Sequence, residues 1–247
     1  MKTLRDRDFY SLWFCSPAIF LYTMFLIVPT VIGFYFAFTD WSIYYIYDAE
    51  FNGLLNFKEM FQSDILAIAT ENTFYYAAVT VVFKNLLGLC LALLLDRGMK
   101  GIKFYRAAFF MPCILSAMIV CLIFSAIYHP QMGILNAFLK GMGLDSLTNE
   151  WLGNAKTAMT AICGVEIWQW TGFHMAIYVA ALQGIPKEYY EAAMIDGAGP
   201  FKQLGFVKLP LITASLTINI ALSVISGLKV FDKVYALTNG GPADATQ

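Results

Sequence analysis

The stretch YYEAAMIDGAGPFKQL, residues 189–204, lies between two long apolar runs, yet it is neither apolar enough to cross a bilayer nor loose enough to be a linker. Pro186, just before it, has no N–H and suits a first helical turn, while Glu188 and Glu191 suit the positive end of a helix dipole. Tyr189, Ala192, Ala193 and Asp196 recur at three- and four-residue spacing, and Gly197, Gly199 and Pro200 are stop signals. The pattern predicts a helix from Pro186 to Gly197 and a second, short one from Pro200 to Val207. Together they make a helix–glycine–helix elbow over residues 186–207.

Outward from the elbow the chain is apolar. Of its 247 residues 59% are hydrophobic and 13% charged, with a mean hydropathy of +0.63, where a soluble domain carries about 25% charged residues. This composition predicts an integral membrane protein. The net charge of −1 and the absence of any Lys/Arg block give no nucleic-acid partner. Cys15, Cys90, Cys113, Cys121 and Cys163 lie in or beside apolar runs without pairing or metal-like spacing, so neither a disulfide framework nor a zinc site is indicated.

Crossing about 30 Å of hydrocarbon takes about 20 apolar residues in a helix. Stretches at 14–38, 72–95, 107–128, 158–182 and 209–230 meet that length and predict an all-α, polytopic bundle forming one transmembrane domain over residues 1–247. The first is too long for a signal-peptide core and shows no small-residue cleavage pattern. Lys2, Arg5 and Arg7, and the later loop with Arg97, Lys100, Lys103 and Arg106, place both segments on the cytoplasmic side. Asp40, Asp48, Glu50, Glu59 and Asp64 stand against the single Lys58 in the segment between them, and Trp41, Tyr44, Tyr45 and Tyr47 suit an interfacial belt there. That segment faces outside, and alternation brings the elbow back to the cytoplasm. An amphipathic loop on the headgroups is the other reading of the elbow. Its small face of Ala192, Ala193 and Gly197, and acidic residues that an anionic leaflet repels, favour a docking surface for a cytoplasmic partner.

Two sets of residues stand out inside the spans. Glu166, Trp170, Phe173 and His174 follow helical steps with Gln169 beside them, a polar and aromatic face suited to a sugar's hydroxyls and C–H surfaces. Trp168 and Trp170 as interfacial anchors, and His174 as a group satisfying a backbone carbonyl, are the alternatives. Lys84, near the middle of a span, costs about 3 kcal/mol on translocon scales and must meet protein or water. An ion pair within the bundle and direct substrate contact both remain open for it, and Asn85 serves either. Ser223, Ser226 and Lys229 continue a polar lining along the fifth span. No P-loop, H-E-x-x-H or G-x-S-x-G pattern occurs, so ATP must come from a partner and an intramembrane hydrolase is not indicated. A self-sufficient, ion-coupled secondary transporter is the rival class, but inverted halves are not visible and Glu166 is the one carboxylate within a span.

EAAMIDGAG (191–199), LP ten residues on (209–210) and TNGGP (238–242) resemble the membrane permease subunits of binding-protein-dependent ATP-binding-cassette importers, in particular the carbohydrate branch that includes the maltose transporter. RAAFFMPCILS, HPQMGILN, WQWTGF and ALQGIP follow in the order of those permeases, so the resemblance covers nearly the whole chain. It implies that the elbow is a coupling helix pair held by an ATPase groove, with Glu191, Ala192, Ala193, Asp196 and Gly197 in contact and Tyr190 and Ala198 flanking them. It also implies a second permease, two ATPase subunits that carry ATP and Mg, an external solute-binding protein, and a bacterial or archaeal cytoplasmic membrane with the N-terminus inside. No cofactor is expected on this chain. Sugars and oligosaccharides are the implied cargo, with glycerol phosphate or another polar solute as the alternative. The lack of Arg in the spans disfavours an anion held bidentately. Such permeases have a further span beyond the GGP segment, whereas this sequence ends at Gln247; five spans with an external end are the alternative topology.

Overall fold

The computed structural model describes residues 12–42, 44, 49–96 and 101–247. Lys2, Arg5, Arg7, Tyr45, Tyr47, Asp48, Arg97 and Lys100, on which part of the orientation reading rests, lie outside the described residues. The chain divides into two units, Met1–Leu66 and Ala67–Gln247.

In the first unit, α1 (Trp13–Phe36) widens to π-type turns over Thr23–Ile27. Pro29 explains the widening, because it cannot donate to residue 25. A bridge between Thr39 and Phe51 and a short α2 (Leu55–Gln62) follow. Asn56 holds this turn closed, its Nδ2 donating to the carbonyls of Ala37 at 3.1 Å and Thr39 at 2.7 Å.

The second unit is all-helical among the described residues. It continues α3 (Asp64–Leu95) and adds α4 (Ile102–Phe110), which runs on as a tight turn through Met111–Ile114. Then come α5 (Ala117–Ile127), α6 (Ile134–Gly141), α7 (Ala155–Gln183), α8 (Lys187–Ile195), α9 (Pro200–Leu211), α10 (Thr213–Leu228) and α11 (Asp232–Thr238). The central element is α7. It contributes Met175, Tyr178, Val179 and Leu182 to one core cluster, Met159, Ile162 and Cys163 to a second, and Ala161 and Val165 to a third.

Hydrocarbon is as apolar as a Leu side chain, so helices in a bilayer associate by close packing and small residues rather than by escape from water. Two glycines show this. A Cβ on Gly88 of α3 would meet His174 Cβ at 3.0 Å and the Met175 nitrogen at 3.1 Å, so α3 and α7 cross nearly backbone to backbone. A Cβ on Gly172 of α7 would run into the Phe109 carbonyl of α4.

The expected single helix over 107–128 is broken. Leu115 and Ser116 are extended, α4 and α5 meet at 98°, and Ser116 Oγ caps the new N-terminus by accepting from the Ile119 N–H at 3.4 Å. The expected helix over 209–230 is also bent, by 69° between α9 and α10. Pro210 accounts for that bend, having no N–H for the carbonyl of residue 206. Among the described residues two helices, α1 and α3, are long and apolar enough to cross a membrane, and up to four if each bent pair counts as one span. α7 spans 29 residues, but the polar groups it buries keep it out of that count.

Candidate functional site

Three ionised side chains meet where α3, α7 and α11 converge. Lys84 Nζ lies 2.9 Å from Glu166 Oε1 and 3.1 Å from Ser226 Oγ, and Lys233 Nζ pairs with Glu166 Oε2. Lys84 is 1% exposed and Glu166 and Lys233 5% each, so the cluster is buried. Desolvating such charges costs several kcal/mol per ion, offset only when geometry and remaining hydrogen bonds are good. Here both carboxylate oxygens are used. The pairing of Lys84 with Glu166 answers the question their sequence positions raised, and Lys233 is the partner that sequence reading missed. Its one signal was VFDKVY, where a Lys follows the last span by three residues.

A second polar layer lies one helical turn toward the elbow. Asn85 Nδ2 donates to Ser223 Oγ at 2.9 Å, and the Tyr178 hydroxyl donates to Asn85 Oδ1 at 2.7 Å. His174 Nδ1 bonds Asn219 Oδ1 at 2.8 Å and its Nε2 meets Ser223 Oγ at 3.3 Å. His174 and Asn85 are therefore satisfied within the bundle. His174 finds side-chain partners where a backbone carbonyl was the expected alternative. His129 Nδ1 accepts from the Gln131 and Met132 N–H groups and closes a turn.

Above the charged cluster lies a cavity of about 400 Å³. It brings together Glu166, Gln169, Trp170, Ser226 and Lys229 from the sequence reading and adds Tyr76 and Lys233. Lys84, Asn85, Phe173 and His174 are not among its lining residues. Phe173 sets its ring edge-on to Trp170 at 5.8 Å and to His174 at 5.6 Å. Trp170 lines the cavity with Lys233 Nζ 6.0 Å from its ring, whereas Trp168 points outward, 44% exposed, against Phe124.

Gln169 has a double position. Its Nε2 donates to the Leu115 carbonyl at 2.9 Å, which the break between α4 and α5 leaves without a helical partner. Broken backbone at membrane depth is tolerated where protein satisfies it in this way. Its Oε1 is buried at the cavity wall without a partner, and the Tyr76 hydroxyl is buried there beside Glu166. An unpaired buried acceptor costs about 1–3 kcal/mol, so the Gln169 oxygen is the group at this wall left open to a further partner.

At the elbow, α8 ends where Gly197 takes φ +72°, a left-handed conformation that glycine adopts without strain. The Ala198 N–H donates to the Ala193 carbonyl at 2.8 Å and the Gly197 N–H to the Met194 carbonyl at 3.1 Å, closing the turn before Pro200 starts α9. The geometry alters the expected small outer face. Ala193 is buried and Tyr190 and Ala198 are half-buried, while Glu191, Ala192, Asp196 and Gly197 are exposed beside Met194 and Ile195, the last at 87%. Bulky apolar groups therefore share the outward face with the small ones. Tyr190 turns inward because Lys208 Nζ stands 5.5 Å from its ring and pairs with Asp96 Oδ2 at 2.6 Å. Burial, with Asp96 nearby, pushes the Tyr190 phenol above its ordinary pKa.

Residues 84–246, which hold the elbow and all of the cavity lining except Tyr76, match the family of binding-protein-dependent transport system inner membrane components. The chain belongs to that family. This inner membrane component is 33% identical over 236 residues to the probable ABC transporter permease YurN of Bacillus subtilis, covering 95% of this chain and 80% of YurN. It is 36% identical over 256 residues to the diacetylchitobiose uptake system permease NgcF of Streptomyces coelicolor, covering 99% and 72%. The trehalose/maltose transport system permease MalF of Thermococcus litoralis is 32% identical over 230 residues, covering 93% and 77%. In fold it is similar to a chain from the crystal structure of a bacterial ABC transporter involved in the import of the acidic polysaccharide alginate. The TM-score is 0.80 at 24% identity, covering 95% of this chain and 80% of that one. Among the described residues no three His, Cys, Asp or Glu side chains gather as metal ligands.

Proposed function

We propose that this chain is the permease subunit of an ATP-driven importer and passes a sugar or oligosaccharide, delivered by an external binding protein, through the cavity beside Trp170. The observation that carries the reading is the wall itself, where an indole face stands beside an unpartnered amide oxygen and the polar groups of Tyr76 and Ser226. A neutral sugar offers C–H faces to the first and hydroxyls to the others. The uptake systems named for diacetylchitobiose and trehalose/maltose support the substrate class.

In this reading the protein lies in a bacterial or archaeal cytoplasmic membrane with its N-terminus inside, among lipid, beside a second permease. ATP and Mg are held by two ATPase subunits. Their closure moves the elbow, and the helices rock so that the cavity opens to the binding protein; each ligand favours the state in which it makes more contacts. α7 completes the span count, its polar face sheltered by the other helices.

Trp170→Ala is expected to cut uptake roughly tenfold, the value of one good stacking contact, with the ATPase still co-purifying. The measurement is ATP-driven uptake of maltose and diacetylchitobiose into proteoliposomes holding the whole complex. Unchanged rates for both sugars would remove the cavity from the path. Uptake driven by an ion gradient without internal ATP would favour the secondary transporter instead.

Gly197→Val tests the elbow. A β-branched residue at φ +72° costs about 1–2 kcal/mol locally, too little to unfold the bundle but enough to reshape the exposed turn. The expected result is normal membrane abundance with lost transport or a detached ATPase; normal uptake and normal co-purification together would refute it.

A further inference from the structure

We infer that Asp96, Lys208 and Tyr190 form a strut that makes α3 move with the elbow, so that displacement at the cytoplasmic end reaches Lys84 in the charged cluster beside the cavity. The inference rests on the reading of the elbow as the ATPase contact. It begins from the ion pair of 2.6 Å between Lys208 and Asp96, residues 112 apart in sequence, each side chain under 20% exposed. Lys208 belongs to α9, Asp96 closes the last turn of α3 by donating its N–H to the Ala92 carbonyl at 2.9 Å, and Tyr190 lies on α8 with its ring below Lys208. One cation therefore ties both limbs of the elbow to the end of one long helix. Tyr190 and Leu209 also pack against the cluster containing Ala92 and Leu95, so the junction is sealed by apolar contact.

What lies along α3 from that junction gives the strut its purpose. Asp96, Ala92, Gly88, Lys84, Thr80 and Tyr76 follow one another at four-residue steps, and every one after Asp96 is buried. Residues at this spacing form one ridge on a helix. Its upper part carries Lys84 into the charged cluster and Tyr76 to the cavity wall, and its middle, at Gly88, crosses α7 so closely that an added Cβ would meet His174 Cβ at 3.0 Å. Asp96 and Lys84 are twelve residues apart, about 18 Å along an unbroken helix. A helix pressed against a neighbour at Gly88 and held at Asp96 has little freedom to bend between them. Motion of the elbow therefore tilts the ridge about the Gly88 crossing and shifts Lys84 and Tyr76 relative to Glu166. Without the strut the elbow would swing on the Pro186 and Ile212 joints and leave α3 behind.

The test uses the complete complex in proteoliposomes, with the native cysteines replaced and a single Ser226→Cys introduced beside Lys84. The readout is its labelling rate by a membrane-impermeant maleimide with and without ATP. With the strut intact, ATP changes the rate about fivefold or more. Asp96→Asn and Lys208→Gln should each reduce that change to less than about twofold while ATP is still hydrolysed and the subunits still co-purify. The reversed pair, Asp96→Lys with Lys208→Asp, should restore it. Full ATP response in the single variants would overturn the inference, as would a lost response that the reversed pair fails to restore, because then the charge contact is not what transmits the motion. A drop in thermal midpoint with an unchanged ATP response assigns the pair to stability alone and also overturns it. Glu191→Ala, measured in parallel, separates the two readings. If it leaves the ATP response intact, the elbow is not the ATPase contact; if it abolishes the response while the strut variants keep theirs, only the strut fails.

Discussion

Glu166→Gln is expected to lower stability by about 3–5 kcal/mol, the cost of breaking a buried pair by removing one partner. The direction follows from the count of charges in the cluster, where Lys84 and Lys233 share this one carboxylate and all three groups are at most 5% exposed. Losing Glu166 leaves two ammonium groups facing each other in a buried site. Losing either lysine leaves a pair, so Lys84→Met and Lys233→Met should each cost distinctly less than Glu166→Gln. Replacing all three, as Lys84→Met, Glu166→Leu and Lys233→Met together, should recover most of the loss, because well-packed apolar groups often equal a buried ion cluster in stability. Thermal midpoints of the detergent-solubilised protein give the comparison. If the three single losses simply add in the triple variant, the groups are not coupled and the cluster reading fails.

How much of this was legible beforehand depended on the kind of signal. The helical class and the turn at Gly197 between two helices followed from composition and from Pro186, Gly197 and Pro200, because apolar length and stop residues act locally, whereas the second helix runs on to Leu211 past the expected end at Val207. Gly197 does take the left-handed turn that the pattern required. The breaks at Leu115 and Ile212 were not read. Pro112 and Pro210 were visible in the sequence, but whether a helix breaks near a proline depends on what receives the carbonyls that the break leaves open. At Leu115 that partner is Gln169, 54 residues away. Lys233 was missed for a similar reason: it lies past the end of an apolar run, where a lysine ordinarily reaches water, and only the return of α11 toward α7 buries it. His174 shows the converse. Its helical spacing with Trp170 put it on the expected face, yet the approach of α10 places Asn219 and Ser223 against it and absorbs both ring nitrogens. The outer surface of α8 was misjudged because spacing alone left open which side of the helix the bundle covers. Tyr190, drawn in by Asp96 and Lys208, settled that.

Gly172→Val should be the most damaging of the glycine substitutions, and Gly172→Ala should already cost about 1–3 kcal/mol, the usual cost of overpacking. A Cβ at this position overlaps the backbone carbonyl of Phe109, and a carbonyl in a helix cannot rotate aside as a side chain can. The relief available is to push α4 away from α7. That movement has a second consequence, because Gln169 lies one turn earlier on α7 and holds the Leu115 carbonyl at 2.9 Å. Separation strips this carbonyl of its hydrogen-bond partner, adding about 1–3 kcal/mol, and opens the wall of the cavity beside Trp170. Loss of stability and loss of uptake should therefore arise together. Gly88→Ala should fall below Gly172→Ala in cost, since its nearest new contact is the His174 Cβ at 3.0 Å and not a carbonyl oxygen. Gly205, with nothing within 4 Å of its would-be Cβ, is the control. Gly205→Ala should be neutral or slightly stabilising, since alanine favours the helix by about 1 kcal/mol over glycine. The order Gly172, Gly88, Gly205 in thermal midpoints is the signature of helix approach as the organising contact. A Gly172→Ala variant as stable as Gly205→Ala would mean that α4 and α7 have room to separate, and that the broken helix is not held at the cavity wall by this crossing.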